Sequence, residues 1–268
     1  MADVATNLAG SHVPPDPEAV NEFYSRFWNS AAWGGAQPNE DEKLRAEAIT
    51  RFIEEFVRTP NAESPNLRIL DLGCGRGWLT SILSDYGSVL GIDPVPAAIE
   101  RARVLFPNLN VRLADSANLI SEGLEAQFDL IVSSEVIEHV VGTQKESFLR
   151  DIYRLLKPGG LAILTTPRGE LWKLWSRTEQ EEQPVEEWVS EKELRRLCES
   201  VRFRVVAKDR VFVRYSFDWL SRIAARSTRR GYIGLQEKLR YHRAIYQVVL
   251  VTRDEDRKTE DRRPRTGE

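Results

Sequence analysis

Gly73, Gly75 and Gly77 alternate directly behind the aliphatic run Ile69, Leu70 and Leu72, within LRILDLGCGRGW from Leu67 to Trp78. An unbroken apolar run closed by glycines reads as a strand buried on both faces of a parallel sheet. Glycines at its end let the backbone turn sharply and approach a ligand where side chains would clash. Leu79 to Leu83 is predicted to be helical, so the unit is strand, glycine loop, helix, a nucleotide-binding turn. The spacing narrows the ligand. Counted from Gly73, the third glycine of G-x-G-x-x-G falls on Trp78, and an indole there prevents the close helix–strand packing of a dinucleotide turn. No Lys follows Gly77, so the loop is not a G-x-x-x-x-G-K phosphate loop either. What stands is D-x-G-x-G-x-G, with Asp71 at the strand end and Cys74 inside the loop.

Further along, acids recur at predicted strand ends. Asp93, followed by Pro94, lies 20 residues past Gly73, where a carboxylate accepts both hydroxyls of a ribose or serves only as a turn or cap residue. Asp115, followed by Ser116, stands in LADSA, where an Asx turn is the plain alternative. SSEVIEHV follows the fourth strand and carries Ser134, Glu135, Glu138 and His139. With an unperturbed pKa of about 6.5, the His139 imidazole suits a general base at neutral pH, or else orders its own loop. Glu135, Glu138 and His139 also have the ligand chemistry of a metal site. No histidine lies between His139 and His242 to complete such a set, so no metal is expected.

Taken together with FDLIVSSEVIEHV and LLKPGGLAILTTP, the stretch Arg68 to Pro167 resembles the class I S-adenosylmethionine-dependent methyltransferases. The form E-V-I-E-H is most similar to the ubiquinone-biosynthesis O-methyltransferases and their small-molecule relatives. The resemblance implies a loop of Asp71, Gly73, Cys74, Gly75 and Gly77 passing under S-adenosylmethionine, with Asp93 and Pro94 at the ribose. It places Asp115 and Ser116 by the adenine, and Ser134 and Glu135 along the same cofactor. Asn39 to Arg45 is similar, with looser spacing, to a helix ahead of the domain, which would set Arg45 against the cofactor's methionine carboxylate. The activity implied is methyl transfer to a small-molecule acceptor, a hydroxyl first of all, on a lipid, quinone, sugar or other secondary metabolite. An RNA or protein methyltransferase, or a silent cofactor-binding module, is the alternative on the same fold.

The elements that must position these residues alternate. Strands at Ser88–Ile92, Asn110–Leu113, Phe128–Val132 and Leu161–Thr165 are interleaved with helices at Ala97–Val104 and Ser147–Leu156, the second ended by a turn at Lys157-Pro158-Gly159-Gly160. Ser190 is set to cap a helix to Cys198, with Glu193 completing a capping box, and Phe203–Ala207 and Tyr246–Thr252 close the sheet. The expected fold is α/β: a doubly wound, mostly parallel sheet with an antiparallel last strand, in one methyltransferase domain over 19–252. Residues 1–18 are expected to be a flexible start and 253–268 a disordered charged tail. Three additions should gather at the ligand edge: N-terminal lid helices over 19–64 and capping insertions over 168–189 and 210–243. In the first, Phe23, Tyr24, Phe27, Trp28 and Trp33 are either a face docked on the domain or a lid over a ligand. In the last, Arg210, Arg214, Arg222, Arg226, Arg229 and Arg230 lie beside Phe217, Trp219 and Leu220, suiting an anionic ligand or membrane surface, or else a solvated face.

Composition excludes other classes. Across 268 residues, 38 Lys and Arg face 41 Asp and Glu, a net charge of −3 that gives no global drive toward nucleic acid. No apolar run approaches the roughly 20 residues of a membrane span. The start lacks a basic region followed by an apolar core, and Cys74 and Cys198 are poorly placed to pair, so a reducing, cytoplasmic setting is expected.

Overall fold

The computed structural model of the chain describes residues 16–30, 33–57, 67–172, 183–211 and 244–254. A seven-stranded sheet carries the rest. Its strands are β1 (Leu67–Leu72), β2 (Gly87–Asp93), β3 (Val111–Leu113), β4 (Phe128–Ser134), β5 (Leu156–Pro167), β6 (Phe203–Val211) and β7 (Tyr246–Arg253), in the order β3-β2-β1-β4-β5-β7-β6. β1 pairs in parallel with β2 and β4, β2 with β3 and β4 with β5, whereas β7 runs antiparallel between β5 and β6. The helices are α1 (Pro17–Asn29), α2 (Glu40–Phe52, continued by a π-helical turn Ile53–Val57), α3 (Trp78–Leu83), α4 (Pro96–Leu105), α5 (Ser116–Ser121), α6 (Lys145–Leu155) and α7 (Glu191–Ser200). This is the class I Rossmann-like arrangement expected.

Side chains alternate across a strand, so each central strand feeds two cores. Leu70, Leu72, Ile131, Ala162, Leu164, Val249 and Val251 pack with Leu149, Ile152 and Leu155 of α6 and Leu194 and Cys198 of α7. Ile69, Leu130, Val132, Ile163, Val248 and Leu250 face the other way, onto Ile49 and Phe52 of α2, Ile53 of its π-helical turn and Leu83 of α3. Strand order reverses between β1 and β4, and the crevice beyond their carboxyl ends is where such sheets bind ligands. The glycine loop and SEVIEHV flank it.

Some boundaries differ from those read off the sequence. Lys157 to Gly160 does turn, but within β5: Leu156 pairs with Phe128 and Leu161 with Leu130, leaving four residues bulged, with Gly159 at φ +77°. α5 was not expected; it is short, and a capping box of Asp115 and Asn118 starts it. Ser190 caps α7 by accepting from Glu193 N at 3.2 Å, and the Glu191 N–H is taken by Glu170. Arg253, expected in the tail, ends β7 and donates to the Leu156 carbonyl at 2.7 Å. The insertion over 168–189 is described at its two ends, which meet where Gly169 N donates to Val189 O. The basic run from Arg214 to Arg243 and the tail over 255–268 lie outside the described residues. Among those described, no helix is long and apolar enough to cross a membrane.

Candidate active site

The loop after β1 is tight for a local reason. The Gly73 and Cys74 amides both donate to Ile92 O of β2, at 2.8 and 2.9 Å, folding the chain back as it leaves the strand. Gly73 sits at φ +81°, and a Cβ there would lie 2.3 Å from Val136 Cγ2, so the loop meets SEVIEHV with no side chain between them. Gly75, at φ +52°, meets the indole of Trp28 instead. Asp93 ends β2, and its carboxylate accepts from Gly75 N at 3.0 Å and Val95 N at 2.9 Å. Burial pushes its pKa up to about 6 despite both amides, while Pro94 beside it is exposed. Asp71 lies beneath the loop, 1% exposed, accepting from the Thr80 hydroxyl at 2.6 Å, and burial raises it to about 7. Cys74 is buried and free, its thiol pushed well up by the same loss of water.

Across the crevice, Glu135 leaves β4 at φ +58°, a left-handed backbone that a Glu adopts only where its surroundings hold it. The Glu135 N–H donates to Thr165 O at 3.0 Å, and the Thr165 hydroxyl donates to Glu135 Oε1 at 2.8 Å. With that proton spent, Ser134 Oγ is the donor in its 2.9 Å contact with Thr165 Oγ1. Glu138, 2% exposed, accepts from the Thr166 hydroxyl at 2.9 Å. Lys145 locks the turn by donating to the carbonyls of Ile137 and Val140. Burial raises both Glu135 and Glu138 toward neutrality, each against the pull of Arg45.

His139 has a quarter of its side chain exposed at the mouth, with Nδ1 2.8 Å from Val185 O. A carbonyl only accepts, so Nδ1 carries the hydrogen and Nε2 of the neutral ring keeps its lone pair. Burial lowers its pKa, favouring that neutral ring. Nε2 lies 4.0 Å from Glu138 Oε1. Among the described residues, no group of three His, Cys, Asp or Glu side chains is arranged to hold a metal ion.

Arg45 reaches this region from α2. Its guanidinium lies over the Tyr246 ring, 4.6 Å from the centroid, and its Nε is 4.0 Å from Glu135 Oε1. That Nε is buried without a hydrogen-bond partner. An orphaned cationic donor here suits a carboxylate ligand. Asp115 and Ser116 are more occupied. Asp115 Oδ1 caps α5 by accepting from Asn118 N at 2.8 Å, and Ser116 Oγ donates to Asp151 at 2.8 Å. Asp115 is therefore a helix cap rather than the Asx turn considered for it.

α1 covers the crevice. Phe23, Tyr24, Phe27, Trp28 and Trp33 form one edge-to-face and stacked cluster. The Tyr24 hydroxyl donates to Gln183 Oε1 at 3.3 Å, joining α1 to the segment before α7. Burial raises the Tyr24 phenol well above its usual range, and carboxylates of Asp93, Glu138 and Glu186 push the same way.

Two residues here escaped the sequence reading. Arg76, the side chain between Gly75 and Gly77, is 1% exposed and makes a bidentate ion pair with Glu42 of α2, both contacts at 2.7 Å. Its Nε donates to Gly35 O at 2.6 Å. Glu42 was visible only as a residue three beyond Asn39, and nothing local pairs it with a residue 34 positions away.

The comparisons bear on family and fold. A family described as a methyltransferase domain matches residues 41–208, more than half of the chain. The mitochondrial ubiquinone biosynthesis O-methyltransferase of Rattus norvegicus is 39% identical over 115 residues, 40% of this chain and 32% of the relative. The ubiquinone biosynthesis O-methyltransferase of Cereibacter sphaeroides is 34% identical over 162 residues, 56% of this chain and 64% of the relative. The chain thus spans about a third of the rat enzyme's length and under two thirds of the bacterial one's. Among solved structures, the Burkholderia thailandensis 1,6-didemethyltoxoflavin-N1-methyltransferase, crystallised with bound 1,6-didemethyltoxoflavin and S-adenosylhomocysteine, superposes with a TM-score of 0.56 at 18% identity. The match covers 92% of this chain and 93% of that one, a likeness of fold.

Proposed function

Because the chain belongs to the class I S-adenosylmethionine-dependent methyltransferases, we propose that it methylates a hydroxyl of a small molecule, with His139 as the general base. The enzyme class and its cofactor follow from the family. The hydroxyl acceptor is our reading. One observation carries it: His139 spends its Nδ1 hydrogen on Val185 O and so presents a basic Nε2 at the mouth of the crevice. When bound, S-adenosylmethionine supplies a methyl group activated on a sulfonium. The chain's part is to hold an acceptor oxygen in line with that group, to keep water out beneath α1, and to take the hydroxyl proton at Nε2. In the same reading, Arg45 meets the cofactor's carboxylate, Asp93 its ribose and the loop from Gly73 to Gly77 its underside, with Asp115 and Ser116 at the adenine edge. The similarity to O-methyltransferases of ubiquinone biosynthesis supports an oxygen acceptor of that general size, and no extended basic face among the described residues argues for nucleic acid. Two free buried thiols fit the cytoplasmic setting.

The test is a metabolite extract incubated with the enzyme and isotopically labelled S-adenosylmethionine, followed by mass spectrometry. A labelled methyl ether that disappears with the His139→Ala enzyme supports the reading. Label found only on nitrogen, or on RNA or protein, overturns it.

A further inference from the structure

The face of α2 that enters the crevice carries two charges three residues apart, Glu42 and Arg45, and they behave differently. Glu42 is fully engaged: both carboxylate oxygens take the Arg76 fork, and Oε2 also accepts from Asn39 N at 2.7 Å. Arg45 is held loosely by comparison, by the Tyr246 ring and a contact of 4.0 Å to Glu135, with Nε unpartnered. Neither of its supports fixes a direction: a ring face is a broad surface, and 4.0 Å is beyond hydrogen-bond range. What fixes where Arg45 points is therefore the placement of the helix that bears it. That placement is set one turn earlier, where Glu42 is gripped by a side chain of the glycine loop itself.

We propose that Glu42 and Arg76 are the positioning pair of the cofactor site, registering α2 against the glycine loop so that Arg45 projects beyond it toward the cofactor's carboxylate. Arg76 suits this task better than a Lys would, because a planar fork meeting a carboxylate at two points resists rotation as well as separation. The pair is buried at both ends, so neither water nor salt competes with it. The inference rests on the reading of Arg45 given above, and its test separates the two.

Calorimetry with two probes supplies that test: S-adenosylhomocysteine, and 5′-methylthioadenosine, which has the same nucleoside but no amino-acid carboxylate. Arg45→Ala should cut the preference for S-adenosylhomocysteine about tenfold or more, the lower end for a hydrogen bond to a charged group. Glu42→Gln, which keeps the shape and one acceptor, should cut the preference by a similar factor while leaving methylthioadenosine affinity within about threefold, since the nucleoside side is unchanged. Arg76→Lys, which keeps a cation against Glu42 without the fork, should do the same, and it carries the test if Glu42→Gln does not fold. Should the Glu42 and Arg76 variants weaken both probes equally, or leave their ratio untouched, the positioning role is overturned and Arg45 keeps its own. If Arg45→Ala leaves the ratio unchanged, the carboxylate reading falls, and the inference with it.

Discussion

The indole of Trp28 lies against Gly75: a Cβ built on that glycine would sit 3.1 Å from both Cη2 and Cζ2 of the ring. The aromatic helix and the cofactor loop therefore touch directly.

This contact makes Gly75 intolerant on two grounds, its φ of +52° and the ring beside it. Gly75→Val should displace Trp28 and abolish S-adenosylhomocysteine binding, read by calorimetry and by a change in tryptophan fluorescence. Undiminished affinity in a folded variant would mean that the loop does not pass under the cofactor.

Asp93 is the second test of the cofactor side. If Asp93 accepts the ribose hydroxyls as proposed, replacing it by Ala should weaken S-adenosylhomocysteine binding by about 1.5–3 kcal/mol. Asp93 also receives the Gly75 and Val95 amides, so circular dichroism should accompany the titration. An unchanged dissociation constant would reduce Asp93 to a turn residue.

His139→Ala should lower turnover by about 10²–10⁴-fold, the usual span for acid–base catalysis, with little effect on cofactor affinity. The wild-type rate should fall on the acid side. Because burial lowers the pKa of the imidazole, the midpoint should lie below the ordinary 6.5. A midpoint at or above 6.5, or an acid limb that persists unchanged in the His139→Ala enzyme, would remove His139 as the base.

Asp71 predicts how stability follows pH. Its folded pKa, about 7, lies above the ordinary 3.8, so the folded state holds this proton more tightly than the unfolded chain. The resulting stabilisation is complete below pH 3.8 and is lost as pH rises through 7, at no more than about 1.4 kcal/mol per pH unit. Asp93, raised to about 6, adds a fall of the same sign up to that pH. Asp71→Asn keeps an acceptor for Thr80 and should flatten the decline in urea midpoints between pH 4 and 7. An equally steep decline in the variant would assign it elsewhere.

The sheet was legible because its signals are local. Ile69, Leu70 and Leu72 make a short apolar run interrupted only by Asp71, and Gly73 stops it whatever lies elsewhere. Glu135 and His139 could be placed near the ligand because they follow a strand whose carboxyl end must face it. The same reasoning was silent on α5, six residues long with no room for a helical period, and on the bulge that kept Lys157 to Gly160 inside β5. It was silent on Arg76 as well, since a polar residue between two glycines reads as solvated until the helix bearing Glu42 is seen to cross it. Long-range pairs of this kind leave no periodic trace, and they are what hold the N-terminal segment to the domain.

Arg76 and Arg101 attach the N-terminal segment by its backbone. Arg76 donates to Gly35 O and Arg101 to Gly34 O, and Gly34 itself admits no side chain, since a Cβ would meet Trp28 O at 2.4 Å. An attachment made through carbonyls reads no side chain of the helix it holds. Two side chains of α1 are tied to the frame, Trp28 against Gly75 and Tyr24 to Gln183; the others can change without touching these carbonyl attachments. A swap of the α1 segment ahead of Gly34 that keeps Trp28 and Tyr24 should therefore leave S-adenosylhomocysteine binding unchanged, whatever it does to the acceptor.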